Sequence, residues 1–269
     1  MFEQGDLLMN NLTVVTPTFH SPHLADIFIR SFEKFKPKDL VIEYIVVENS
    51  DDSSYRDHVL SLAKNIVWIQ NPGTTHIYAA RKPGTENNEG SKANGLGVDK
   101  ALKHVKSEYV FIAHCDTCVT SQNFFHSIIS KAEEGNVLVG TSLDGGRINA
   151  VHISGLLIKS EIAKKVDIMP VYEDNKMIMD VGDSYTKYCR DNNLPYFCFP
   201  DTHGGGASID NLEEKFRKFH VGRTIDDDGN VMFMHLGRGI EKTHNTYRKP
   251  NRPYLPDWYE FCSKILEDN

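Results

Sequence analysis

VFIAHCDTCVTSQNFF, Val110 to Phe125, decides how the chain is read. Four apolar residues, Val110 to Ala113, run straight into His114, Cys115, Asp116, Thr117 and Cys118. A short, unbroken apolar run fits a strand buried on both faces, as in a parallel sheet. Open parallel sheets bind ligands just beyond the carboxyl ends of their strands. The polar residues after Ala113 therefore fall where chemistry is expected. Asp116 can hold a metal, Cys115-x-x-Cys118 can serve redox or zinc chemistry, or Asp116 can simply cap the turn.

Working outward, the same alternation recurs. LTVVTPTF (12–19) is an apolar, β-branched run broken at Pro17, and Ser21-Pro22 then opens a helix as N-cap and first helical position. Leu24, Ile27, Phe28, Phe32 and Phe35 share one face of that helix. EYIVVENS (43–50) and IVWIQNPG (66–73) are further strands, with the helical DHVLSLAKN between them. PGTENNEGSKANG (83–95) reads as a polar loop, followed by a helix marked by Val98, Ala101, Leu102 and Val105. YVFIAHC (109–115), NVLVGTSLDGGR, VHISGLLIKS and YFCFPDT add strands, and DSYTKYCRDN (183–192) a helix. This β-α-β order predicts an α/β fold with a doubly wound, mostly parallel sheet.

Composition narrows the function classes. Of 269 residues, 40% are hydrophobic and 25% charged, which supports a packed core. The 30 Lys and Arg against 37 Asp and Glu give a net charge of −7, which argues against nucleic acid as a partner. A small anionic ligand needs only a few local cations and stays open. MFEQGDLLMNN, at the start, carries acids and no long apolar run and is not expected to be a secretory signal, and no window is apolar enough to span a membrane. Five scattered cysteines (115, 118, 189, 198, 262) point to a reducing, cytoplasmic setting.

Four motifs together resemble the family 2 glycosyltransferases of the A-type nucleotide-sugar (GT-A) fold. They are TVVTPTFHSPHLADIFIRSF, YIVVENSDD, GSKANGLGVDKAL and VFIAHCDTCVT, and the resemblance spans about residues 11–203. It implies a nucleotide-sugar-binding catalytic domain over 1–203 and a C-terminal extension over 204–269. The last Asp of the family's Asp-x-Asp motif falls on Asp116, a metal ligand for Mn2+ or Mg2+. The first falls on His114, a departure. Thr16, Pro17 and Thr18 would line the base and ribose pocket. Glu48 would accept a hydrogen bond from the base, often uracil. Lys92 and Asn94 would lie by the ribose and diphosphate, Cys115 and Asp116 beside the nucleotide, and Ser154 and Gly155 against the donor sugar. Asp183, or Asp180, would be the catalytic base, although no adjacent Glu-Asp pair is present to fix the register.

The C-terminal part holds VMFMHLGRG, an apolar stretch ending at His235. The resemblance implies a C-terminal His as a second metal ligand; His235 fits, with His220 and His244 as rivals. Arg238, Lys242, Arg248, Lys249 and Arg252 against Glu241 suit a basic lid over a diphosphate at 238–252. The expected activity is inverting, metal-dependent transfer of a sugar from a nucleoside diphosphate, a UDP-sugar by expectation. The acceptor would be a hydroxyl on a glycan, a lipid-linked molecule or a small molecule. Two alternatives stay open: a sugar nucleotidyltransferase on the same fold, and a degenerate protein that binds nucleotide sugars without turning them over.

Overall fold

The computed structural model describes residues 9–72, 89–174, 176–217, 221–238 and 255–267. Its centre is a seven-stranded sheet. In chain order the strands are β1 (Asn11–Thr18), β2 (Val41–Glu48), β3 (Ile66–Gln70), β4 (Tyr109–Ala113), β6 (Leu138–Gly140), β9 (Gly155–Lys159) and β12 (Tyr196–Cys198). They lie in the order β12-β6-β9-β4-β1-β2-β3. All run parallel except β9, which is antiparallel to both β4 and β6. The doubly wound, mainly parallel sheet read from the sequence is thus the one observed. The reversal of β9 was not read.

Successive strand residues point to opposite faces, and both faces are covered. Val14, Tyr44, Val46 and Phe111 pack with Phe28 and Phe32 of α1 (Pro22–Phe35) and with Phe124 and Phe125 of α4 (Asn123–Glu133). Val15, Ile45, Val47, Val110 and Ile112 pack on the other face with Val98, Ala101 and Leu102 of α3 (Glu89–Leu102). Tyr185 and Cys189 of α6 (Asp183–Asp191) extend that second layer. Pro22 is the first residue of α1, as its fixed φ favours.

The loop expected over 83–95 needs correction. Residues 83–88 lie outside the described residues, but Glu89 onward is helical, so Lys92 and Asn94 stand on α3. Three glycines make this a poor helix by propensity. Packing overrides that: a Cβ on Gly97 would sit 2.9 Å from Asn49 Nδ2, and one on Gly95 2.8 Å from Met169 Sδ. The glycines let the helix lie close against the strand-end loops.

A second, three-stranded antiparallel sheet was not read at all. It joins β5 (Thr117–Val119) to β14 (Val231–His235), and β14 to β13 (Gly222–Ile225). Thus the segment after residue 203 shares the core of the rest. Met232 and Phe233 enter the first layer. Trp258, Cys262 and Ile265 of a C-terminal helix, α8 (Leu255–Glu267), pack with Leu24 and Ile27 of α1.

Candidate metal and ligand site

Several strand ends meet at one edge. β4 and β6 finish there, and β9, being reversed, begins there, with Ala113 opposite Gly155. The residues just beyond these ends line a cleft of about 460 Å³: His114 and Asp116 after β4, Thr141 and Ser142 after β6, and His152 before β9. Asp144, Arg147, Asp180, His235 and Arg238 complete much of its wall. The size suits a small-molecule ligand.

At the floor, the two sheets bring three potential ligands together. β14 pairs with β5 so that His235 faces Thr117, and the Leu236 N–H donates to the Asp116 carbonyl at 2.9 Å. His114, Asp116 and His235 each then offer a ligand atom, all within 4.8 Å of one another. His235 Nε2 is 3.4 Å from Asp116 Oδ1, and His114 Nδ1 is 3.9 Å from the same oxygen. Nε2 of His114 and Nε2 of His235 are buried without a hydrogen-bond partner among the described residues. Buried imidazole nitrogens without partners are costly, and a divalent cation would satisfy them. Burial drives His114 down to about 4, against the pull of Asp116, so the ring stays neutral and able to ligate. Two imidazoles and a carboxylate suit manganese or another transition ion better than magnesium.

The opposite wall is built from carboxylates around one arginine. Arg147 donates from Nη2 to Asp144 Oδ2 at 2.6 Å and from Nε to Asp183 Oδ2 at 2.9 Å. Its Nη2 is 3.8 Å from Asp180 Oδ2. Asp183 is buried, and the same Oδ2 also accepts the Asp180 N–H at 2.7 Å. Burial raises its pKa, with Arg147 pulling the other way. It is the first residue of α6; Gly182, at φ +83°, is the N-cap. Asp180 lines the cleft, while Asp183 stands behind it.

The other expected site residues divide similarly. Pro17, Asn94 and Cys115 line the cleft, and Asn94 Oδ1 is buried with no partner among the described residues. Lys92 is exposed on α3. Thr16 is buried, its Oγ1 likewise without a partner. Glu48 is wholly buried: it accepts from Thr18 Oγ1 at 2.7 Å, from the His20 N–H at 3.2 Å and from the Tyr55 hydroxyl. Ser154 is buried behind His152. A Cβ on Gly155 would lie 2.5 Å from Thr141 Oγ1, so this glycine serves a tight strand packing. His220, His244 and the lid residues beyond Arg238 lie outside the described residues.

Cys115 and Cys118 are both free and buried in an apolar cluster with Leu24, Trp258 and Cys262. Neither joins a group of potential metal ligands among the described residues. Burial pushes the Cys115 thiol far up, away from the reactive thiolate.

Three parts of the site escaped the sequence. His114 appeared as a lost aspartate, yet it stands with Asp116 and His235; the His-x-Asp spacing was the available signal. Arg147, in SLDGGR, and His152, just before Ser154-Gly155, carried none that a single sequence could supply.

No family model matches this sequence, and no curated protein matches it. Solved structures do. A mannosyltransferase from Pyrobaculum calidifontis, in complex with GDP-Man and Mn2+, is 14% identical over 95% of this chain and 74% of its own, with a TM-score of 0.48. Glucosyl-3-phosphoglycerate synthase from Mycobacterium tuberculosis, with Mn2+, UDP and glucosyl-3-phosphoglycerate, is 13% identical over 70% of each chain, with a TM-score of 0.45. A galactosyltransferase with donor and acceptor sugar analogues is 14% identical over 57% of this chain and 59% of its own, at 0.43.

Proposed function

We propose that this chain is a metal-dependent glycosyltransferase that takes its sugar from a nucleoside diphosphate and passes it to a hydroxyl acceptor. The observation that carries this is the His114–Asp116–His235 cluster at the floor of a cleft beyond the carboxyl end of β4. The order of the four sequence motifs supports it. So does the chemistry of the ligand, since a diphosphate leaving group needs a concentrated positive charge beside it.

His114, Asp116 and His235 would hold the ion, Mn2+ in preference to Mg2+. When bound, the ion neutralises charge on the departing diphosphate. Asp180 is the better general base, because it lines the cleft while Asp183 is committed to Arg147 and to the Asp180 N–H. Arg147, in the same wall, holds Asp144 and lies beside Asp180. Pro17 and Asn94 border the nucleotide, and Glu48 shapes that wall from within by fixing Thr18 and Tyr55. Arg238 lies where it can meet the diphosphate. Direct displacement from the face opposite the leaving group gives inversion. A uridine donor and a cytoplasmic setting belong to this same reading.

Calorimetry with UDP tests it. Binding should require Mn2+ and disappear in Asp116→Asn. Release of free sugar from UDP-sugars in the presence of Mn2+ should separate an enzyme from a silent binder. Metal-independent UDP binding would sink the proposal.

A further inference from the structure

His152 forms the third corner of the histidine cluster. Its ring centroid lies 5.7 Å from that of His114 and 5.5 Å from that of His235. The obvious role would be a fourth metal ligand. The hydrogen bonds speak against it.

The Ser154 backbone N–H donates to His152 Nδ1 at 3.2 Å. A backbone amide can only donate, so Nδ1 must accept and carries no proton. Ser154 Oγ lies 2.8 Å from the same nitrogen and can donate as well. A neutral imidazole with a bare Nδ1 has its proton on Nε2. An Nε2–H has no lone pair to give a cation. It is a donor that needs an oxygen. The ring lines the cleft, and with Nδ1 turned to Ser154, Nε2 is the nitrogen left for a ligand.

Resting on the glycosyl-transfer reading, we propose that His152 is the neutral Nε2–H donor to a phosphate oxygen of the nucleoside diphosphate seated beside the metal cluster, a binding residue and no metal ligand. Ser154, two residues on, fixes the tautomer from both its backbone and its hydroxyl. Histidine suits this place because a lysine or arginine here would repel the cation that the neighbouring residues collect. A neutral N–H strengthens the hold on a phosphate oxygen without that conflict.

Two measurements test it. Long-range ¹H–¹⁵N correlation spectra of the ligand-free protein at neutral pH should show His152 protonated at Nε2 and bare at Nδ1. The reverse tautomer would overturn the proposal whatever the enzyme does. Titration with Mn2+ alone, then with UDP in saturating Mn2+, should separate the two roles. His152→Ala should leave Mn2+ affinity unchanged and weaken UDP by about tenfold or more. His152→Gln, which keeps a neutral N–H, should recover part of that loss. A fall in Mn2+ affinity in His152→Ala would make His152 a ligand and overturn the proposal. If wild type binds UDP and His152→Ala binds it equally well, this inference falls alone. If wild type binds Mn2+ but no UDP, it falls together with the proposed function.

Discussion

The two walls of the cleft use the same kinds of side chain in opposite ways. On the floor, two histidines keep buried nitrogens without hydrogen-bond partners among the described residues. On the facing wall, Arg147 and Asp183 satisfy one another and the turn into α6. Backbone hydrogen bonds position the first group: β5 against β14, and Leu236 N–H on the Asp116 carbonyl. Side chains position the second. An unsatisfied polar cluster held rigidly by backbone weakens the fold and suits a ligand. A satisfied cluster held by side chains is architecture. Mutations should therefore separate binding from stability across a few ångströms.

The largest effect should come from the floor. Asp116→Asn removes the only carboxylate of the ligand group. Its Mn2+ affinity should fall by more than the ~10–100-fold that loss of an outer partner causes. Calorimetry in Mn2+ reads this, and an unchanged affinity would dissolve the contrast between the walls.

Next comes the facing wall, through stability. Asp183→Ala leaves Arg147 Nε and the Asp180 N–H without their acceptor, though Arg147 Nη2 keeps Asp144. Because Arg147 is partly exposed, the expected loss is about 2–3 kcal/mol, below that of a fully buried pair. Urea unfolding should show it. Asp180→Ala should unfold almost like wild type and lose sugar transfer. If the two variants exchange behaviours, Asp183 is the base and Asp180 the support.

His235→Leu should change the stability of the metal-free protein by no more than about 1 kcal/mol, because His235 Nε2 makes no hydrogen bond among the described residues and only approaches Asp116 Oδ1, at 3.4 Å. The same change should abolish tight Mn2+ binding. A large destabilisation without metal would mean that the histidine is satisfied in ways that make it structural.

The smallest effect concerns the cysteines. Cys115→Ala with Cys118→Ala should leave Mn2+ affinity within about twofold, since buried free thiols behave as small apolar groups. Elemental analysis should find no zinc lost with them. Loss of a stoichiometric zinc would restore the metal reading of Cys115-x-x-Cys118.

The central sheet was legible because it rests on local pattern. LTVVTPTF, EYIVVENS, IVWIQNPG and YVFIAHC are short apolar runs between turn signals, and their order implies right-handed parallel crossovers. The reversal of β9 was illegible: GLLIK reads the same in either direction, and only its neighbours decide. The second sheet failed for a related reason. Thr117-Cys118-Val119 is too short to show a period and becomes a strand only against β14. Within the site, Asp116 and His235 were legible as residue types placed after apolar runs. His114 was discounted because a motif expected aspartate, though an imidazole serves the same end. Arg147 was invisible because only Asp144 is near it in sequence, while Asp180 and Asp183 come from a distant segment.

The pairing of β5 with β14 also makes the binding centre a clasp. His114 and Asp116 follow β4 of the central sheet, and His235 ends β14 of the second, so a cation held by all three would tie one sheet to the other. A cation that binds only the folded chain stabilises it. Mn2+ should therefore slow the opening of the second sheet, read as added hydrogen-exchange protection in Val231–His235.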